Sequence, residues 1–312
     1  MSRCARRTWN IVITFGLAAI AAGQNPGIQI SGTIENYYLA TGGANGAQHR
    51  MTWMQIVADV NPRWRLVATN AQRINANSLD ETYAEYNEKT TTIRAGVMRS
   101  AFGFSDWADL WYSGIINFPM VKGGYGSSDF RFIRLDSGLQ VTGGTPDLQY
   151  QLGLVDSNRK ARQLLPEHMD RGVARLQTSK GPFIIGFNGF KQVVGVDADK
   201  VGAYGVDLRW TAPNVQVRAE LDKIDSDDAS GWGYYTDVFV RPGKSTTTRL
   251  LGRIESYKAP YKDGIATLYT AGLRQVLSPN FTLSVNYAFG NHVLPAPGMF
   301  GWNAQLMTSI HF

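Results

Sequence analysis

The sequence predicts an all-β protein: a closed barrel of sixteen antiparallel strands that cross a membrane. Three observations support this fold class. Runs of about ten residues alternate between apolar and polar side chains, tight turns alternate with long polar loops between those runs, and the last run ends on an aromatic residue, Phe312. The longest uncharged apolar stretch, residues 11–23, is shorter than the roughly 20 residues that span a bilayer as a helix. A helical membrane protein is therefore excluded.

The first 23 residues have the three parts of an export signal. Three arginines precede an apolar stretch at residues 11–22, and Ala21-Ala22-Gly23 supplies a small-residue cleavage site. We therefore predict a signal peptide at residues 1–23 and an outer-membrane barrel at residues 24–312. Cleavage would remove Cys4, the single cysteine, so the exported chain would have no disulfide, thiolate metal site or cysteine nucleophile. A buried N-terminal helix is the alternative.

Alternation of period two recurs along the rest of the chain. Residues 28–35, 215–222 and 281–289 each place apolar side chains on one face and polar side chains on the other. A tilted strand needs about 9–11 residues to cross a bilayer, which these runs provide. Hydrophobic residues make up 44% and aromatic residues 12% of the chain, and this composition argues against intrinsic disorder.

The breaks between the runs fall into two kinds. Short turn sequences rich in Gly, Pro and Asn occur at residues 61–63, 87–89, 143–147, 179–182, 211–214, 241–244 and 278–280. Longer polar breaks occur at residues 41–48, 74–80, 100–129, 156–170, 192–200, 225–230, 259–264 and 290–300. Short turns at one end, long loops at the other and an even strand number are typical of outer-membrane barrels. A soluble all-β fold is the alternative.

The polar face of each strand is expected to line the lumen. Alternation assigns these basic residues to it: Arg65, Arg73, Arg94, Arg134, Arg171, Arg175, Arg209, Arg218, Arg249, Arg253 and Arg274. It assigns these acidic residues: Glu35, Asp136, Asp207, Glu220, Asp222 and Glu255. Because a charge on the lipid face at mid-depth costs about 2–4 kcal/mol, we expect a wet, net positive lumen. The alternative is that the arginines pair with the acids and stiffen the wall.

The longest break, residues 100–129, is the candidate for a constriction. Loops longer than about 12–15 residues are usually functional, and this one is too apolar to extend into water. We expect it to fold into the barrel and pack against the wall, with Asp106, Asp109 and Lys122 facing the channel. The candidate constriction residues are Asp106, Trp107, Asp109, Trp111, Tyr112 and Lys122. A surface lid or a partner contact is the alternative.

The sequence gives no support for an enzyme, a cofactor or a metal site. The four histidines lie in predicted loops or the last strand, without the spacing of a metal site. Residues 243–245 resemble the end of a phosphate-binding loop, but Val238 stands where that motif needs its first glycine. A hairpin turn is the better interpretation.

Two segments carry a resemblance to known proteins. Residues 301–312, which alternate up to Phe312, resemble the last strand of Gram-negative outer-membrane proteins, in which the terminal aromatic is the signal for the barrel-assembly machinery. Residues 92–106 resemble the strand-to-loop junction of porin-like and phosphate-selective channels, although Val97 stands where a basic residue commonly follows the glycine. With sixteen strands and a long third loop, the chain resembles the Gram-negative porins.

This resemblance implies a water-filled outer-membrane channel for passive diffusion of small hydrophilic solutes, with a mild anion preference. Two alternatives stay open: a substrate-selective uptake channel for an anionic or sugar-like solute, and a non-conducting structural barrel. The implied partners are outer-membrane lipid and lipopolysaccharide, the barrel-assembly machinery and two further copies in a homotrimer, with no nucleic acid. Small outward residues, Gly32, Gly272 and Ala304, would permit close contact between barrels.

Overall fold

The computed structural model describes residues 27–41, 45–73, 76–104, 115, 119–123, 135–156, 169–192, 202–225, 230–260, 264–290 and 302–311. Within these ranges the chain forms sixteen strands and one short helix, α1. The elements are β1 (Ile28–Thr41), β2 (Asn45–Asp59), β3 (Trp64–Arg73), β4 (Ala76–Glu88), β5 (Thr91–Arg99), α1 (Met120–Gly123), β6 (Leu135–Gly144), β7 (Leu148–Val155), β8 (Arg171–Lys180), β9 (Phe183–Gln192), β10 (Gly202–Thr211), β11 (Val215–Asp225), β12 (Ser230–Val240), β13 (Thr248–Lys258), β14 (Ala266–Ser278), β15 (Phe281–Gly290) and β16 (Trp302–His311).

The strands close into one antiparallel barrel. Each strand pairs with its neighbours in sequence, and β1 pairs with β16. Closure leaves no unpaired sheet edge, so every strand finds backbone partners on both sides. The predicted fold class is confirmed. Among the residues described, no helix is long and apolar enough to cross a membrane.

The turns form where the sequence predicted them, for local chemical reasons. Between β2 and β3, the Asn61 side-chain oxygen accepts hydrogen bonds from the backbone N–H groups of Arg63 (2.9 Å) and Trp64 (3.0 Å). This side-chain turn is characteristic of asparagine. Between β8 and β9, Gly181 adopts a φ of 56°, which glycine reaches without steric cost.

Two predicted breaks are wrong at one edge, because strands extend into them. β2 begins at Asn45 inside the predicted break 41–48, and β4 begins at Ala76 inside the predicted break 74–80. The polar residues at the start of β4 still pair with β3, because the hydrogen bonds between strands need only backbone groups. A bulge between Ala68 and Asn70 also disturbs the alternation of side chains there. The side-chain pattern therefore underestimates the length of both strands.

The two faces of the barrel wall differ sharply in chemistry. Outward apolar side chains are exposed, as with Phe187 at 57% and Leu221 at 49%. Inward positions on the same sheet carry charges, as with Asp207 at 1% and Glu220 at 2% exposed. This arrangement inverts that of a water-soluble protein and is the one expected of a barrel surrounded by lipid.

Candidate functional site: the charged lumen

The segment after β5 turns into the barrel and reaches the far wall. Ser100 donates a hydrogen bond to Asp136 at the start of β6. Phe102 then meets Phe190 of β9 edge-on, with ring centroids 5.6 Å apart, and the backbone N–H of Phe104 donates to Glu220 of β11 at 3.2 Å. Because β11 lies six strands from β5 in the closed barrel of sixteen, these contacts place the segment inside the lumen.

An apolar patch on the inner wall holds the segment. It is built from buried residues of the loop and of β10 to β14: Phe102, Met120, Val121, Ala203, Ile224, Tyr235, Tyr257, Ala259 and Ala266. The patch explains why β11 and β13 direct Ile224 and Tyr257 into an otherwise charged lumen. Burial of apolar surface stabilises the docked loop at roughly 25 cal/mol per Å². The expectation that the third loop folds into the barrel is confirmed for its described residues.

Lys122 on α1 is fixed to the wall by ionic contacts. Its ammonium group is 1% exposed, pairs with the Glu220 carboxylate and lies 3.7 Å from the Asp222 carboxylate. It also donates to the Phe102 carbonyl at 3.3 Å. The expectation that Lys122 faces the channel is wrong. The apolar patch seals the two wall carboxylates from water, so they require a buried counter-charge.

Glu220 is the centre of this arrangement. Besides Lys122 and the Phe104 N–H, it accepts a hydrogen bond from the Tyr235 hydroxyl at 2.8 Å. Later in the same loop, the Met120 N–H donates to the buried Glu255 carboxylate of β13. Two carboxylates on the wall thus accept backbone N–H groups at both described ends of the docked loop.

Gly103 is required by the close approach of loop and wall. It has a φ of 58°, and a Cβ placed there would overlap the Glu220 carboxylate and the Lys122 ammonium group. Glycine alone combines this backbone conformation with the absence of a side chain. The Phe-Gly-Phe sequence after β5 therefore allows aromatic packing on both sides of a point of direct backbone contact.

Several candidate residues lie outside the part of the chain that the structure describes. They are Asp106, Trp107, Asp109, Trp111, Tyr112, Arg134 and Phe312, together with the side chains of Glu35 and Arg73. Their assigned roles stay predictions.

Three of the predicted lumen arginines form buried ion pairs on the inner wall. Arg175 of β8 binds both carboxylate oxygens of Asp207 on β10. Arg218 of β11 and Arg253 of β13 share Asp237 of β12, with Arg253 donating at 2.6 and 3.0 Å and Arg218 at 3.0 Å. Hydrogen bonds between ionised partners are the stronger ones. For these arginines, the alternative interpretation of wall stiffening holds.

Other lumen arginines lie over inward aromatic rings. Phe104 is approached by Arg209 at 5.1 Å and by Arg175 at 5.8 Å, and Arg171 lies 4.8 Å from the Phe190 centroid. A guanidinium over an aromatic face is attracted to it while its donors stay available at the ring edge. Phe104 of the docked loop and Phe190 of β9 therefore order the arginine row on β8 to β10.

The wall opposite the docked loop carries a wetter cluster. Arg94 of β5 donates to Glu85 of β4 at 2.8 Å, and Arg65 of β3 lies 3.8 Å from the same carboxylate and 2.7 Å from Asp59. The side chains of Arg65 and Arg94 are 45% and 36% exposed. Both guanidinium groups thus face solvent inside the barrel while staying anchored by an acid.

Sequence reasoning missed two acids of the lumen, Glu85 and Asp237. Asp237 lies in register with Arg218 on one side and Arg253 on the other, and Glu85 is in register with Arg94. These partners follow from strand register, which places each acid directly opposite an arginine, and not from the alternation within a single strand.

Elsewhere the register brings like charges together. Arg209 is in register with Arg218, and Arg249 with Arg274. Like charges directly opposite each other destabilise a sheet pair. Among the described residues, no group of three His, Cys, Asp or Glu side chains could hold a metal ion.

Comparison with known proteins finds similarity in structure alone. No family model and no curated protein sequence matches the chain. Among solved structures, OmpF of Salmonella typhi in complex with daunomycin aligns at a TM-score of 0.70 and 13% identity, covering 91% of this chain and 97% of that one. The anion-selective porin of Comamonas acidovorans aligns at a TM-score of 0.67 and 10% identity, covering 91% of this chain and 99% of that one. OmpT of Vibrio cholerae, an outer-membrane protein in a trimer form, aligns with the same TM-score, identity and coverage. The chain therefore has the fold of the sixteen-stranded outer-membrane porins.

Proposed function

We propose that the chain is an outer-membrane porin, a water-filled channel for passive diffusion of small hydrophilic solutes, with a mild anion preference. The observation that carries the proposal is the pair of partly exposed arginines, Arg65 and Arg94, inside a closed barrel. A sealed lumen would have to bury these charges, which is costly even when they are paired. Both arginines lie among the first four residues of their strands after a short turn, so their exposure supports water filling the lumen from the short-turn end.

The charge pattern supports the anion preference. Arg249 and Arg274, in register on β13 and β14, add positive charge to the wall of the lumen, whereas Arg218 is compensated by Asp237. In a cleft with low-dielectric walls, charge of one sign raises the local concentration of the opposite ion. Selectivity from such charges requires a narrow pore, which the inserted loop supplies in this proposal.

The finer assignment of the constriction is part of the proposal. Asp106 and Asp109 on the loop would face Arg94 and Arg134 across the narrow passage, and the field between them would act on solutes crossing it. Trp107, Trp111 and Tyr112 would form its apolar side. The docking of the flanking residues Phe104 and Lys122 against the far wall supports this placement.

Single-channel recording tests the proposal. The protein, folded in detergent and added to a planar bilayer, is expected to give ohmic conductance steps and a reversal potential of anion-selective sign in a KCl gradient. A protein that is heat-modifiable on gels, and hence folded, but never conducts would instead be a non-conducting structural barrel. Block of conductance by one solute at sub-millimolar concentration would favour the substrate-selective channel.

The remaining partners belong to the same proposal, which assigns no enzymatic activity or cofactor. Export would remove residues 1–23, Phe312 would serve the barrel-assembly machinery, and the barrels would associate as homotrimers in outer-membrane lipid. The trimer form of the Vibrio cholerae neighbour supports this stoichiometry. Native mass spectrometry of the detergent-solubilised protein measures the stoichiometry, and N-terminal sequencing of the mature protein, expected to start at Gln24, tests the cleavage site.

A further inference from the structure

The side-chain amide of Asn188 on β9 lies between two carboxylates of the inner wall. Its nitrogen donates a hydrogen bond to Asp207 of β10 at 3.3 Å. Its oxygen approaches Asp222 of β11 over Gly205 of β10, which is in register with both residues. A Cβ placed on Gly205 would overlap the Asp222 Oδ1 atom and would lie 3.0 Å from the Asn188 Oδ1 atom. Two oxygen acceptors therefore meet at this point of the wall.

Reversing the amide would not remove the conflict. An asparagine side chain donates only from its nitrogen and accepts only at its oxygen. With the nitrogen directed to Asp207, the amide oxygen faces the Asp222 carboxylate. With the nitrogen directed to Asp222, the amide oxygen would instead face Asp207. In either orientation, one carboxylate of this wall lies against another acceptor.

Both acceptors are buried and receive no hydrogen bond from the protein. Asn188 is 7% exposed and Asp222 is 0% exposed. Within the described part of the chain, the Asn188 Oδ1 atom and both carboxylate oxygens of Asp222 have no hydrogen-bond donor. Adjacent buried acceptors repel each other unless a positive group lies between them, and buried charges in proteins are either paired or bound to metal ions.

The ionic groups around this point leave one negative charge in excess. Glu220 and Asp222, on the same face of β11, share the single ammonium group of Lys122, which pairs with Glu220 and lies 3.7 Å from Asp222. The next carboxylate, that of Asp207, has its own counter-ion in Arg175. Among the charged side chains described here, two carboxylates thus depend on one cation.

We infer that this point binds one monovalent cation such as sodium. Its ligands would be the Asn188 Oδ1 atom, the Asp222 carboxylate and the backbone carbonyl oxygen of Leu221, which also lies 3.0 Å from the Cβ position of Gly205. A donor set made only of oxygen suits a hard cation. A single positive charge balances the excess, whereas a divalent ion would leave an excess of the opposite sign. The donors are one acid, one amide and one carbonyl, so the site differs from a cluster of three acids.

The cation would stabilise the docked position of the loop. Asp222 is sealed from solvent where Lys122 of the loop meets the wall, so the ion could leave only when the loop lifts. With the ion on Asp222, Lys122 would be left to serve Glu220 and the Phe102 carbonyl. Loop opening and loss of the cation would therefore be coupled. This inference goes beyond the proposed channel function and does not depend on conduction.

Hydrogen exchange of the folded full-length protein in detergent tests the site. Sodium chloride is replaced stepwise by N-methylglucamine chloride, whose cation is too large for the site, at constant pH and ionic strength. A bound ligand stabilises in proportion to its occupancy, so exchange in residues 119–123 should slow about tenfold for each tenfold rise in sodium once the site is mostly filled. Equal exchange in the two salts overturns the inference and indicates that a proton or a water molecule joins the two oxygens. An equal effect from calcium at a far lower concentration contradicts a monovalent ion.

Asp222→Asn is the matched variant. Its new amide can donate to the Asn188 oxygen and carries no charge, so D222N needs no cation, and its loop should exchange equally in both salts. D147N, in the exposed turn between β6 and β7, should keep the sodium dependence of the wild type. Sodium dependence that persists in D222N, shown to be folded by its heat-modifiability on gels, would also overturn the inference. Planar-bilayer conductance is measured separately, so the cation site and the channel proposal can fail independently.

Discussion

Lys122 on the inserted loop and Glu220 on β11, 98 residues apart in sequence, form an ion pair with both side chains almost fully buried. The pair lies between the apolar patch and the wall, and it shares the Lys122 ammonium group with Asp222. Two opposed effects are therefore combined at one point: apolar burial draws the loop to the wall, and the charge on the lysine compensates carboxylates that this burial would otherwise leave unpaired. The loop docks in one position because both conditions are met there.

Replacement of Lys122 by methionine is expected to loosen the docked loop. Methionine keeps the apolar stem but leaves the Glu220 and Asp222 carboxylates without their cation, and breaking a buried pair in this way costs about 3–5 kcal/mol. We expect faster hydrogen exchange in residues 119–123 and more frequent sub-state transitions in single-channel records. The same substitution at the exposed Lys180 is the control. Unchanged exchange and quiet records in K122M would show that the apolar patch alone holds the loop.

Replacement of Gly103 by alanine is expected to displace the loop through contact rather than through backbone strain alone. Gly103 and Gly181 have nearly the same φ, 58° and 56°, but a Cβ at Gly103 overlaps Glu220 and Lys122, whereas a Cβ at Gly181 meets nothing within 4 Å. G181A therefore measures the strain by itself, of about 1–2 kcal/mol. Urea unfolding in lipid vesicles, followed by tryptophan fluorescence, should show G103A to be clearly less stable than G181A. Equal losses in the two variants would contradict the close approach.

The strand boundaries near the tight turns could be predicted from sequence because they are local. The Asn61 side chain accepts a hydrogen bond from the backbone of its own turn, and residues 179–182 contain the glycine that the hairpin needs. The position of Lys122 could not be predicted in this way. Its burial depends on carboxylates of β11, and a residue pattern contains no information on contacts made across the lumen.

The lumen itself was predictable only in part. The basic residues alternate cleanly with apolar ones on β11 and β13, so their direction was clear. On β12, both faces carry aromatic side chains, with Tyr235 and Phe239 directed inward and Trp232 and Tyr234 outward. Alternation of hydrophobicity therefore fails on that strand, and Asp237 was missed because its orientation follows from register rather than from periodicity.

Replacement of Asp237 by asparagine is expected to increase anion selectivity at a cost in stability. The substitution removes the negative charge that Arg218 and Arg253 share through three hydrogen bonds of 2.6 to 3.0 Å. Both arginines stay positive, and loss of a buried partner destabilises by about 3–5 kcal/mol. The reversal potential in a KCl gradient and the urea midpoint measure the two effects. D147N, in the exposed turn between β6 and β7, should change neither quantity. A shift of D237N toward cations would contradict the expectation that the two arginine charges, once uncompensated, attract anions into the lumen.

Replacement of Arg94 by glutamine is expected to reduce anion selectivity by removing a charge that faces the aqueous lumen. Arg94 is 36% exposed and anchored by Glu85. A unit charge about 4 Å from an ion in water contributes about 1 kcal/mol, so local anion enrichment should fall by at most about fivefold. R94K keeps the charge and should keep most of the selectivity, whereas R63Q alters an arginine that is 63% exposed in the β2–β3 turn and should have little effect. These three variants separate charge in the pore from charge near its mouth. If R94Q and R94K both kept the wild-type reversal potential in a KCl gradient, the charge of Arg94 would have no part in selectivity.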